Sequence, residues 1–127
     1  MPLNFEISNG ITFDVIENII CNFCNVKKDE LQNQKKLSDY RKGRYQENEQ
    51  ITITRQICHY LSRKYIANIT FKEIGERFGR RDSTTTQHSC VVIQDMRKTN
   101  SEFNLFINLI ETEIKKDEIN FNAIPQY

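Results

Sequence analysis

The sequence predicts a single all-α domain of about six helices with a helix-turn-helix at its centre, and three observations carry that prediction. The chain holds only four glycines and two prolines in 127 residues, too few turn-formers for a many-stranded sheet protein. Apolar side chains return every three or four positions from Phe13 to Phe23, from Ile53 to Tyr65 and from Phe103 to Ile114, which is the period of a helix and not of a strand. Between Ile66 and Ile93, two further helical patterns are separated by a short turn that contains Gly79. The length is that of one ordinary domain, enough to bury a core without disulfides, and the 38% hydrophobic content excludes disorder across the whole chain.

Residues 1–11 read as an extended entry with Asn9-Gly10 as a turn signal. The N-terminal helices occupy 12–34. Thr12 is a candidate N-cap, and Phe13, Ile16, Ile19, Ile20 and Phe23 share one face of a helix running to about Asn25. Val26 to Gln34 reads as a short second helix with Leu31 as its core contact. Residues 35–49 have no period and form a basic loop. A helix-turn-helix core is expected over 50–97. Ile53, Ile57, Leu61 and Tyr65 form its first stripe, with Arg55, Arg63 and Lys64 off that stripe. Ala67-Asn68 breaks the pattern. Thr70 and Glu73 have capping-box spacing before Phe71, Ile74 and Phe78, and Gly79 suits a left-handed stop. Asp82 or Ser83 caps the next helix, whose inward positions are Thr86, Ser89, Cys90 and Ile93. Asn100 or Ser101 opens a closing helix over 101–116, with Phe103, Phe106, Ile107, Ile110 and Ile114 on one face, and 117–127 read as a tail.

The net charge is only +1, but it is unevenly spread. Residues 35–81 hold twelve basic and five acidic side chains, while the segments on either side are each net acidic. A basic block of this kind is either a polyanion-binding face or a solvated surface with scattered ion pairs. No secretory signal and no membrane-length apolar run is visible, so a cytoplasmic protein is expected. Cys21, Cys24, Cys58 and Cys90 then read as free thiols. Cys21-x-x-Cys24 lies in an apolar helical run without a second ligand pair, which favours buried structural cysteines over a metal site. His59 and His88 read as surface or hydrogen-bonding side chains. No catalytic constellation emerges, so neither an enzyme nor a cofactor is expected. Tyr40 and Tyr45, interleaved with basic residues, either pack on the helices or stack on bases.

The stretch with most chemical content is Gly79-Arg80-Arg81-Asp82-Ser83-Thr84-Thr85. Short polar side chains at a helix start allow close approach to base edges, and the free N–H groups there favour phosphate. The segment from Arg55 to Tyr65 resembles the RQIAMYLARELT-type helix of the C-terminal DNA-binding domain of the DnaA replication initiators. Thr70 to Gly79 is similar to that family's SLPEIGRRFG, and Arg81 to Ser89 to its RDHTTVLHA. The resemblance covers roughly residues 11 to 114 and is densest from Arg55 to Ser89.

The resemblance implies double-stranded DNA as partner, read at a short asymmetric A·T-rich site, the DnaA box, by a monomer. On that reading Asp82 accepts from a cytosine amino group and Thr84 touches a thymine or a base edge. Arg81 holds phosphate or a nearby base, Lys64 and Thr85 hold the backbone, and Arg41 or Arg44 enters the minor groove, while Arg80 beside Arg81 adds charge before the helix start. Ser83 stands where the family has histidine, which implies a diverged recognition sequence. Arg80 replaces the second glycine of the GGRDH turn, and Val91 and Val92 replace commonly charged positions, implying an extra contact through exposed valines. The 127 residues contain no G-x-x-x-x-G-K-[ST] phosphate loop, so ATP hydrolysis of the initiator kind is not expected of them. A protein–protein adaptor or inhibitor of replication proteins is the alternative. Dimerisation through the closing helix is a further one.

Overall fold

The computed structural model describes residues 10–32, 48–79 and 81–122. The basic loop up to residue 47, with Arg41, Arg44, Tyr40 and Tyr45, lies outside the described residues, as do Arg80, the entry segment 1–9 and residues 123–127. Among the described residues there are six helices and no strand.

Helix α1 spans Phe13–Cys24. Its start is fixed by Thr12, whose hydroxyl accepts from the Val15 N–H at 3.3 Å, and its end by Asn25 in the left-handed region. Helix α2, Lys28–Leu31, is a single turn, shorter than the Val26–Gln34 pattern suggested. Leu31 is fully buried, and Arg55 closes the end of the turn by donating to the carbonyls of Leu31 and Glu30. Arg55 is 3% exposed, so it leaves the basic surface for a structural role that its off-stripe position did not suggest.

Helix α3, Glu49–Tyr65, is the axis of the fold: it packs against α1, α2, α4 and α5, and Lys64 and Tyr65 at its end bond Glu111 of the closing helix. Ile57, Cys58 and Leu61 bury against Ile16, Ile20, Cys21 and Cys24 of α1. Burial pushes the Cys21 thiol up to about 11 and raises those of Cys24 and Cys58, so these cysteines act as small apolar side chains. Helix α4 spans Phe71–Arg77, opened by the expected Thr70–Glu73 capping box, and Gly79 follows at φ 88°. Helix α5 spans Ser83–Thr99 and helix α6 Ser101–Asn122. Asn100 caps α6 by accepting from the Phe103 N–H. The closing helix runs six residues into the expected tail because no glycine or proline interrupts the sequence before Pro125. Its Ile107, Ile110 and Ile114 complete the core, while Leu105 and Leu109 face solvent. No helix among the described residues is long and apolar enough to cross a membrane.

Two buried carboxylates tie the periphery to this core. Glu17 of α1 accepts from Arg77 at 3.0 Å and from Gln32 at 2.8 Å, which pins α4 to α1. Glu111 of α6 accepts from Lys64, Tyr65 and Arg97, and Arg97 also reaches Tyr60, Asn104 and Asn108. Burial alone would raise the Glu111 pKa. The three donors outweigh it and hold the carboxyl below its ordinary value.

Candidate nucleic-acid interface

Helices α3, α4 and α5 make a three-helix unit whose geometry depends on one glycine. A Cβ on Gly75 would lie 2.0 Å from the Arg81 carbonyl oxygen and 2.7 Å from the Thr86 hydroxyl. Only a bare backbone allows α4 to touch the turn before α5 so closely. The same contact makes a bond, from the Arg81 N–H to the Gly75 carbonyl at 2.9 Å, which sets where α5 begins.

Asp82 is the N-cap of α5, and its carboxylate accepts from the Thr85 N–H at 2.7 Å. That bond lowers the Asp82 pKa, although the group is fully solvent-exposed. Ser83, Thr84 and Thr85 follow on the first turn with exposed side chains, and Gln87 and His88 continue the exposed surface along the helix. On the opposite side Thr86, Ser89 and Ile93 are buried, as their spacing predicted, while Cys90 is only half-buried. Val91 is 48% exposed but Val92 is half-buried, so one valine and not two stands free on this helix.

The structure therefore brings Arg81, Asp82, Ser83, Thr84 and Thr85 together at one helix start. Arg81 is half-buried there, and its guanidinium donates to the Gly79 carbonyl. Lys64 is elsewhere, on the α6 side of α3, with its ammonium on Glu111. Arg63, which the sequence reading left out of the site, is the basic side chain of α3 that borders α4. It donates to the Ile69 carbonyl at 2.8 Å and stacks 4.3 Å over the Phe71 ring. The signal that could have separated the two lysine and arginine neighbours is helical phase, because one residue rotates a side chain by about 100°. Arg41, Arg44 and Arg80 lie outside the described residues.

Of the two expected alternatives, surface or hydrogen-bonding, His59 is the second: it is buried, and its Nδ1 lies 3.0 Å from the Ser89 hydroxyl. Burial, followed by the neighbouring Arg55 and Arg81 charges, pulls its pKa down to about 3, so the ring is neutral at physiological pH.

A helix pair joined by a tight glycine-supported turn, with the second helix presenting an exposed polar start, is a helix-turn-helix module. The sequence profile of the bacterial dnaA protein helix-turn-helix matches residues 13–93. The chromosomal replication initiator proteins DnaA of Lactobacillus johnsonii and Lactobacillus delbrueckii subsp. bulgaricus are each 30% identical to the chain over 95 residues, which is 75% of this chain and 18% of each relative. The chain belongs to the family of bacterial DnaA helix-turn-helix domains. It spans less than a fifth of the length of those relatives.

Proposed function

We propose that the chain binds duplex DNA at a DnaA-box-like sequence and serves replication initiation or its regulation. The observation that carries this reading is the exposed first turn of α5, where Asp82, Ser83, Thr84 and Thr85 stand clear of the core while the rest of the helix is anchored. In the major groove these short side chains reach base edges, with Asp82 suited to a cytosine amino group and Thr84 to a thymine methyl. The Asp82 carboxylate already accepts from Thr85 and from the Thr84 backbone at the cap, and a carboxylate's remaining lone pairs are what it offers to a base. Arg81 and Arg80 flank this turn, and the α5 N-terminus itself favours phosphate. Arg41 and Arg44 of the basic block are the candidates for the adjacent minor groove, and Lys64 and Thr85 for the sugar-phosphate backbone. For Lys64 that role requires its ammonium to exchange Glu111 for a phosphate.

The test is selection of bound duplexes from a random pool, followed by titration of the winner against a scrambled duplex at two salt concentrations. An asymmetric A·T-rich winner with a large specificity ratio is expected, superimposed on a steep salt dependence from phosphate contacts. Weak binding without a motif, lost as salt rises, would replace the reading with that of a protein-binding adaptor.

A further inference from the structure

We propose that His59 and Ser89 are positioning residues that fix the rotation and register of α5, and with it the aim of Ser83 to Thr85; the idea rests on the DNA-reading function above. The path is short. His59 of α3 bonds the Ser89 hydroxyl at 3.0 Å, and Ser89 donates to the Thr85 carbonyl at 3.1 Å. Thr85 is on the exposed first turn, and its N–H is the one held by Asp82. A continuous chain of bonds thus runs from the central helix to the turn proposed to read bases.

The protonation follows from counting. Ser89 has one hydroxyl proton, and it goes to Thr85. With the proton so placed, the hydroxyl oxygen accepts from a ring protonated on Nδ1, and Nε2 is then buried without a hydrogen-bond partner. Both partners are buried, His59 at 1% exposure and Ser89 at 3%, so water does not compete for the bond. One turn earlier Thr86 repeats the device, donating to the Asp82 carbonyl at 2.9 Å while its hydroxyl abuts Gly75. Side-chain bonds to the carbonyl four residues back bend a helix slightly, and here they fall in the first two turns.

Apolar contacts alone would leave this interface less defined. Hydrophobic burial has no direction, and cores repack around apolar substitutions of similar volume. A buried hydrogen bond has one acceptable geometry and resists both slide and rotation.

The experiment compares the parent chain with Ser89→Ala, His59→Met, the double variant and His59→Asn, whose amide can still donate near the Nδ1 position. Nitrogen chemical shifts should show Nδ1 protonated and Nε2 bare in the parent. The double variant should be more stable than either single one, because it leaves no buried partner orphaned. It should nevertheless lose about tenfold in specificity ratio on the selected duplex, with its affinity for scrambled duplex and its salt slope unchanged. Amide exchange over Thr84 to Cys90 should quicken about tenfold in the double variant and less in His59→Asn. An Nε2-protonated ring in the parent, or a double variant with the parent's specificity and exchange rates, overturns the proposal and leaves the DNA-reading function standing. A parent chain without sequence preference overturns both, and the exchange data then show whether the linkage still orders the helix.

Discussion

The two sides of α3 are built in opposite ways. Towards α1 it meets isoleucines and buried thiols, and the core continues into the isoleucine stripe of α6. Towards α4 and α5 it offers His59, which meets the Ser89 hydroxyl and the Phe78 ring; there α4 meets the turn before α5 at Gly75 and Thr86, with Ile74, Phe78 and Ile93 as the large apolar groups. The first side gains its stability from area removed from water, roughly 25 cal/mol for each Å² of apolar surface. The second shares in that core through Ile74, Phe78 and Ile93 and adds fixed geometry through its buried hydrogen bonds and the close approach at Gly75. The difference teaches that this domain separates the requirement to stay folded from the requirement to hold one helix start in one place.

Substitutions on the two sides should therefore fail in different ways. The largest effect is expected from Gly75→Ala, because the added methyl meets a backbone carbonyl that has no rotamer to move to. A stability loss of about 3 kcal/mol or more should appear in urea titration, with DNA preference lost even where the chain stays folded. A tolerant Gly75→Ala would mean that α4 and α5 can separate without consequence, and the contrast between the two sides would collapse.

On the apolar side Leu61→Ala should cost about 3 kcal/mol by leaving a cavity. The folded fraction should keep the parent's ratio of specific to non-specific affinity. A changed ratio would show that the apolar side also sets the aim of α5.

The pH response isolates His59. Its folded pKa of about 3 lies below the ordinary 6.5, so between these values the unfolded chain binds a proton that the folded chain refuses. Stability should thus fall as pH drops through that window, approaching about 1.4 kcal/mol for each pH unit. Measured between pH 6.5 and 5, above the carboxylate range, the slope should be shallower in His59→Met. Glu111 works on the acid side: its folded pKa is depressed, so the stability from its three donors is present above the ordinary carboxylate pKa and is lost as pH falls through the folded value. An unchanged slope in His59→Met would mean that the buried ring is not refusing the proton.

Asp82 should show the smallest effect on stability and a clear one on binding. Asp82→Ala removes the α5 cap and should lower the urea midpoint slightly, whereas Asp82→Asn keeps an acceptor for the Thr85 N–H and should lower it less. If both relax the sequence preference alike, the carboxylate reads a base. If only the alanine variant does, Asp82 acts through the cap.

Much of the layout was legible in the sequence because it is set locally. The caps at Thr12, Thr70 and Asp82, the left-handed stop at Gly79 and the inward stripe of α5 depend on residues within a turn or two of one another. The motif from Arg55 to Ser89 likewise pointed to the family that the profile match establishes. The one-turn length of α2 was not legible, since the group that satisfies its last carbonyls is Arg55, 24 residues away. Nor was the continuation of α6, where absence of a breaker decided more than the polar composition did.

The sequence by itself determined the helices, their caps and the polar start of α5, for these follow from short-range hydrogen bonding and the helical period. Tertiary structure alone decided which charges stay at the surface. Arg55, Glu17 and Glu111 became buried and Lys64 turned to Glu111, because their partners come from distant parts of the chain and a charge enters a core only where such partners converge. It also decided that Gly75 and His59 matter, since nothing near them in sequence reveals how close another backbone or hydroxyl will come.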